Sequence, residues 1–252
     1  MNKNTFAFII TTIAGLSTML GTSIIFIKKK NHDSIIQSSL SFAAGVMVCT
    51  SITDLIPESL NLLRKNLNLI NTITICLLGI ILGIIISMII NYYIPENPKT
   101  GNKKSLFRIG LISMIAIIIH NVPEGIATFM ATSSNTKLGI SLGIAIAMHN
   151  IPEGISISIP IYYSTGKKKK AIFYTLISAL SEPFGALLAF LFLKSIISDN
   201  ILGILFSLIA GIMLEISFRT LIPSSKKYNN NLRMIIFFII GILFMLFKFI
   251  IQ

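Results

Sequence analysis

Two hexapeptides carry the side chains most able to do chemistry: His120-Asn121-Val122-Pro123-Glu124-Gly125 and His149-Asn150-Ile151-Pro152-Glu153-Gly154. Each sets an imidazole, an amide and a carboxylate within five positions. On a helix, His and Glu four residues apart project from one face. Pro123 and Pro152 cannot donate to the carbonyls of Ile119 and Met148, so each motif also carries a kinked turn with an open oxygen. Imidazole with carboxylate and no thiolate is a borderline-to-hard donor set, suited to Zn²⁺, Fe²⁺, Mn²⁺ or Co²⁺. The two glutamates bring the two negative charges that neutralise one divalent ion. Asn121, Asn150 and Glu182 leave room for a second, more oxygen-rich position beside the first. Such a mixed, exchangeable set differs from the closed Cys cage that holds zinc structurally.

These residues sit in a chain where charge is scarce. Of 252 residues, 54% are hydrophobic and 12% charged, against about 25% charged in soluble domains. The net charge of +12 is gathered in short runs, such as Lys28-Lys29-Lys30 and Lys167 to Lys170, between long apolar stretches. That arrangement excludes a soluble enzyme, a disordered tail and a nucleic-acid binder. Cys49 and Cys76 lie in apolar runs and read as small buried hydrophobes, with no disulfide framework and no thiolate metal site. A spanning helix needs about 20 mostly apolar residues. Eight segments qualify: 5–27, 34–54, 68–94, 109–132, 138–163, 171–193, 200–222 and 232–251. The first lacks a small-residue cleavage signature and reads as a retained helix rather than a signal peptide. Pro57, Pro95 and Pro223 fall at expected helix exits. The expected fold is all-α: one polytopic membrane domain over residues 1–252.

Fourteen Lys and Arg residues fall in the odd-numbered loops, and six (Lys3, Arg64, Lys65, Lys137, Lys194 and Lys248) fall on the other side. Positive loops stay in the cytoplasm, so both termini are expected outside. In that topology the segments bearing the two hexapeptides run in opposite directions. A second pair matches them: Ala44-Gly45-Val46-Met47 with Leu55-Ile56-Pro57, and Ala210-Gly211-Ile212-Met213 with Leu221-Ile222-Pro223. Inverted repeats of this kind predict a binding site near the midplane. His120 follows Arg108, and His149 follows Lys137, by the same twelve residues from opposite sides. That is roughly 18 Å of helix rise, which brings both near the middle of the bilayer.

Of nine acids, Glu124, Glu153, Glu182 and Glu215 lie within spans, Asp54 and Glu58 at an exit, and Asp33, Glu96 and Asp199 in loops. An ionised side chain at a helix centre costs about 2.5–3.5 kcal/mol even on lenient scales, so this cluster needs a partner. The basic residues are nearly all at the boundaries. Asp54 and Glu58 are expected as solvated acids at the outer mouth, and Met47 as a core side chain. Glu215 stands four residues before Arg219 and is expected to pair with it.

The paired HNxPEG motifs, Ser181-Glu182-Pro183 and the eight-helix layout resemble the ZIP (Zrt/Irt-like) family of divalent-metal transporters. The resemblance covers nearly the whole chain. It implies uptake of Zn²⁺, with Fe²⁺ or Mn²⁺ in some cases, into the cytoplasm through a binuclear centre. By motif position it implies a zinc-type site of Glu124, His149 and Glu153 with His120 adjoining. A second site would comprise Asn121, Glu124, Asn150, Glu153 and Glu182, with Glu124 and Glu153 bridging. It further implies that Met47 lines the approach and that the first, fourth, fifth and sixth helices move like an elevator. Metal is then cargo, and no resident cofactor is expected. The expected partners are divalent ions and the bilayer, with a homodimer allowed; the expected location is the bacterial inner membrane. Two features depart from the family: Pro95 to Lys104 holds no His, so no metal-sensing loop is expected, and Phe218-Arg219-Thr220 stands where an acid is common.

Two other classes compete. An intramembrane zinc hydrolase of the zincin type needs His-Glu-x-x-His, but Asn121 and Asn150 follow the histidines and no second His lies at i+4. A proton-coupled carrier of another cation would use the same acids.

Overall fold

The chain crosses back and forth as helices because a backbone in lipid must satisfy its own hydrogen bonds. The computed structural model describes residues 2–27, 32–93, 102–193 and 198–247. The lysines at 28–30, Pro95, Glu96, Lys99, Lys194 and Lys248 lie outside the described residues. In chain order the helices are α1 (Lys3–Phe26), α2 (His32–Arg64), α3 (Leu69–Tyr93), α4 (Asn102–Ser134), α5 (Thr136–Thr165), α6 (Lys168–Phe192), α7 (Asp199–Lys226) and α8 (Asn231–Leu246). Among the described residues, the first seven are long and apolar enough to cross a membrane, and α8 is a shorter apolar helix of 16 residues. The chain is a multi-pass, all-helical membrane protein.

Several boundaries differ from the sequence expectation. α4 and α5 run for 33 and 30 residues, beyond the apolar limits at 109–132 and 138–163. Hydropathy marks where lipid begins, whereas a helix continues until its hydrogen bonds stop. Asn135 alone separates these two helices, and its Oδ1 accepts from the backbone N–H of Lys137 at 3.0 Å. Pro123 and Pro152 sit inside unbroken helices. Pro57 does not end α2 either, which continues to Arg64, and α7 continues past Pro223 to Lys226. Both of these prolines are preceded by a π-helical segment, Ser51–Leu55 in α2 and Ser217–Leu221 in α7. A widened turn is a known way to absorb a local defect in the helical ladder. The two segments correspond position for position: Ser51 Oγ donates to the carbonyl of Met47 at 2.8 Å, and Ser217 Oγ to that of Met213 at 2.7 Å.

Glycines set the pairing of the helices. A methyl on Gly154 of α5 would overlap the carbonyl oxygen of Thr18 in α1, while one on Gly21 of α1 would overlap that of Ile151 in α5. The same reciprocal contact joins Gly125 and Gly185 (α4 with α6), Gly45 and Gly241 (α2 with α8), and Gly211 and Gly83 (α7 with α3). Each of these eight glycines meets the carbonyl three residues before its partner glycine. Small residues are how membrane helices bring backbones together, since lipid removes the hydrophobic drive. Two groups result: α1, α4, α5 and α6 pack on one another, as do α2, α3, α7 and α8. The groups meet mainly through α2 and α7 against α4 and α5. That meeting surface is apolar: Ala43, Met47, Ala210 and Met213 join Ile117 and Ile157 in one buried cluster.

Candidate metal centre

All seven residues singled out for metal chemistry belong to the first group and are buried, with Glu124 and His149 the most exposed of them at 5%. His120, Asn121 and Glu124 come from α4, His149, Asn150 and Glu153 from α5, and Glu182 from α6. The tight contact of Gly125 with the backbone of Glu182 and of Gly154 with Thr18 draws α6 and α1 against the two motifs.

The motifs engage crosswise. His120 Nε2 lies 2.9 Å from Glu153 Oε1, and His149 Nε2 lies 3.0 Å from Glu124 Oε1. Each imidazole therefore reaches the carboxylate of the other helix rather than the one four residues along its own. Asn150 Nδ2 donates to Glu182 Oε2 at 2.7 Å and to the carbonyl of Ala14 at 2.9 Å. Asn121 is fully buried, and neither side-chain atom has a hydrogen-bond partner. Among the described residues, no three His, Cys, Asp or Glu side chains close around a common point. The histidine–glutamate pairs instead occupy one another's ligand atoms. Five buried oxygens here accept no hydrogen bond: Asn121 Oδ1, Glu124 Oε2, Asn150 Oδ1, Glu153 Oε2 and Glu182 Oε1. An orphaned buried acceptor costs about 1–3 kcal/mol, so these five oxygens are left open to a donor or a cation.

The two halves of the centre are not equivalent. The glycine contacts make Thr18 of α1 the positional counterpart of Glu182 of α6. Thr18 is fully buried with an unpartnered hydroxyl. Sequence reading missed it, because its role as counterpart depends on which helices touch.

Of the other acids among the described residues, only Asp54 comes near enough to the centre to interact electrostatically with His149. Asp54 is half-buried in the π segment of α2 and accepts from Thr53 Oγ1 at 3.2 Å, and Glu58 is exposed. Met47 is fully buried within the apolar cluster between the groups. The expected pair of Glu215 with Arg219 is not formed. Arg219 points outward and is exposed, while Glu215 turns toward α3, where Ser87 and Asn91 hydrogen-bond to it. The π turn between them shifts the facing that i, i+4 spacing assumes. Ser87 and Asn91 are themselves four apart on α3. Two polar residues on one stripe of the apolar stretch that follows Thr74 were the signal that would have found them.

A helical membrane protein with imidazole, carboxylate and amide groups meeting across inverted repeats defines the class of polytopic carriers of cations. Comparison with known proteins narrows it. The sequence profile of the ZIP zinc transporter family matches residues 4–106 and 102–248. The zinc transporter ZupT of Clostridium perfringens is 39% identical, with 92% of this chain and 90% of the relative covered. ZupT of Streptococcus mutans is 41% identical over 89% of each, and that of Campylobacter jejuni 38% identical over 89% and 88%. The chain belongs to the ZIP zinc transporter family. It is a divalent-metal transporter and not an enzyme.

Proposed function

We propose that this chain takes up Zn²⁺, and with it Fe²⁺ and Mn²⁺, into the cytoplasm across the bacterial cell membrane as a single transmembrane domain over residues 1–252. The observation that carries the reading is the set of five unpartnered buried oxygens around two crossed His–Glu pairs. An entering ion exchanges the hydrogen bonds between imidazole and carboxylate for coordinate bonds. In this reading Glu124, His149 and Glu153, with His120 adjoining, hold one ion, and Asn121, Asn150 and Glu182 complete a second position with the two shared glutamates. Three carboxylates meet the charge of the cargo, and an inside-negative potential of about 100 mV favours entry of a divalent ion by about 4.6 kcal/mol.

Movement follows from the packing. The group α1, α4, α5 and α6 carries every proposed ligand, and its contact with α2 and α7 is built around a cluster of apolar side chains, Ala43, Met47, Ala210 and Met213 against Ile117 and Ile157. We take this group to slide as a unit against the other, exposing the centre to each side in turn. The surroundings are bilayer lipid, and a homodimer is the proposed assembly.

The experiment is zinc accumulation in reconstituted vesicles, with Fe²⁺, Mn²⁺, Co²⁺ and Cd²⁺ as competitors. Saturable uptake that Fe²⁺ and Mn²⁺ inhibit, and that Glu124→Ala or Glu153→Ala abolishes, is the expected result. A folded His149→Ala/Glu153→Ala protein that accumulates zinc normally overturns the assignment of the site.

A further inference from the structure

At the end bearing the lysine-rich loops, the two helix groups are joined by a directed chain of hydrogen bonds. Arg108, near the start of α4, donates through Nη2 to the backbone oxygen of Asn91 at 2.9 Å and to its Oδ1 at 3.3 Å. Asn91 lies in the last turn of α3. Its Nδ2 donates onward to Glu215 Oε1 of α7 at 3.5 Å and to Thr220 Oγ1 at 3.2 Å. Ser87, one turn earlier on α3, donates to the second oxygen of Glu215. Through the Asn91 side chain the bonds run in one direction, from the guanidinium to Oδ1 and from Nδ2 to the buried carboxylate, and aligned hydrogen bonds polarise and strengthen one another. Arg108 belongs to the group that carries the metal centre, whereas Ser87, Asn91, Glu215 and Thr220 belong to the other.

The repeat shows that this chain is an addition rather than a consequence of the fold. Counting four residues on from the paired glycines, Glu215 and Ser87 correspond to Cys49 of α2 and Met245 of α8. That second pair is buried in a small apolar cluster with Val46. The scaffold therefore packs without a charge at this position in one half and carries a charged network in the other.

We propose that Arg108–Asn91–Glu215 is a tie between the two groups which must part each time an ion is passed. The proposal rests on the reading that α1, α4, α5 and α6 move against the rest. Asn91 is the link: a single amide accepts from the moving group and donates within the stationary one.

The test uses full-length protein lacking its native thiols (Cys49→Ala/Cys76→Ala), reconstituted in vesicles, with three cysteine pairs joined by a bifunctional thiol reagent that a reductant cleaves. Asn91→Cys/Arg108→Cys spans the tie. His32→Cys/Tyr163→Cys spans the groups elsewhere, at rings whose centroids are 5.0 Å apart. Lys65→Cys/Asp199→Cys, replacing a 3.2 Å ion pair, lies within one group. Joining 91 to 108 is expected to slow zinc uptake about ten-fold or more, with recovery on cleavage, while joining 65 to 199 leaves it within about two-fold. Recovery in the same molecules shows that they were folded. If the 91–108 link leaves uptake at full rate while the 32–163 link stops it, the tie is overturned and the group movement stands. If neither link across the groups slows uptake, the movement reading falls and the tie with it.

Discussion

His120 and His149 each face two carboxylates by sequence, and the structure chooses the one on the other helix. The motifs were legible, because His and Glu are rare enough in an apolar chain to stand out. The crossing was not legible, since it depends on how α4 and α5 rotate about one another. Glu215 teaches the same lesson in the opposite sense: helical spacing pointed to Arg219, yet its partners come from α3, more than a hundred residues away. Removing the carboxylate strands Ser87 Oγ in a buried place, while Asn91 Nδ2 keeps Thr220 Oγ1, and an orphaned buried group costs about 1–3 kcal/mol. Glu215→Leu is therefore expected to lower the melting temperature in detergent more than Glu215→Gln, which keeps an acceptor for Ser87. A Glu215→Leu/Ser87→Ala double variant should lose about 0.5–3 kcal/mol less than the sum of the single variants, because the two side chains share one interaction. Additive losses would show that they act separately.

Helix by helix, the eight apolar segments were readable from composition, and the weaker repeat around Gly45 and Gly211 proved to be the more instructive one. It extends to matched π segments and matched serine bonds, neither of which hydropathy can register. The eight reciprocal glycines were invisible in the sequence because glycine is ordinary in membrane helices and only contact gives it meaning. Their removal has a definite cost. Gly154→Ala drives a methyl into the carbonyl oxygen of Thr18, which belongs to backbone and cannot rotate away. Overpacking of this kind costs about 1–3 kcal/mol, and the two helices must also separate beside the metal centre. Thermal melting should show a clear drop for Gly154→Ala, and vesicle uptake should fall with it. Gly166 is the contrasting case. It turns the chain between α5 and α6 with a φ of 67° and has no atom close enough to meet an added methyl. Gly166→Ala is expected to carry only the left-handed backbone cost of about 1–2 kcal/mol, with uptake per folded molecule unchanged.

For the molecule as a whole, the lysine count assigns the end bearing Lys167 to Lys170 to the cytoplasm and the end bearing Glu58 to the outside. The native thiols Cys49 and Cys76 are buried and offer little background to a polar reagent. In intact cells, a membrane-impermeant maleimide should label a Glu58→Cys variant and leave Lys169→Cys unlabelled until the membrane is opened; the reverse pattern would invert the topology. The division into two helix groups was expected from the family resemblance, which set the first, fourth, fifth and sixth helices apart, and not from hydropathy, which reports that segments are apolar but not which neighbours they keep. It emerges from paired glycines on one side and an apolar seam on the other. In the proposed cycle, centre and seam thus have different tasks: one holds the cargo, and the other is the surface along which the groups slide.

The substitution of threonine for glutamate between the two halves reaches further. A centre with perfect two-fold character would look the same from either face of the membrane and would fill at the same ion concentration from both. Thr18 and Glu182 occupy equivalent places, but one offers a hydroxyl and the other a carboxyl. Net flow still obeys the electrochemical gradient, which no arrangement of side chains can overrule. For the proposed centre, what the inequality governs is how far each compartment must be loaded before the carrier saturates.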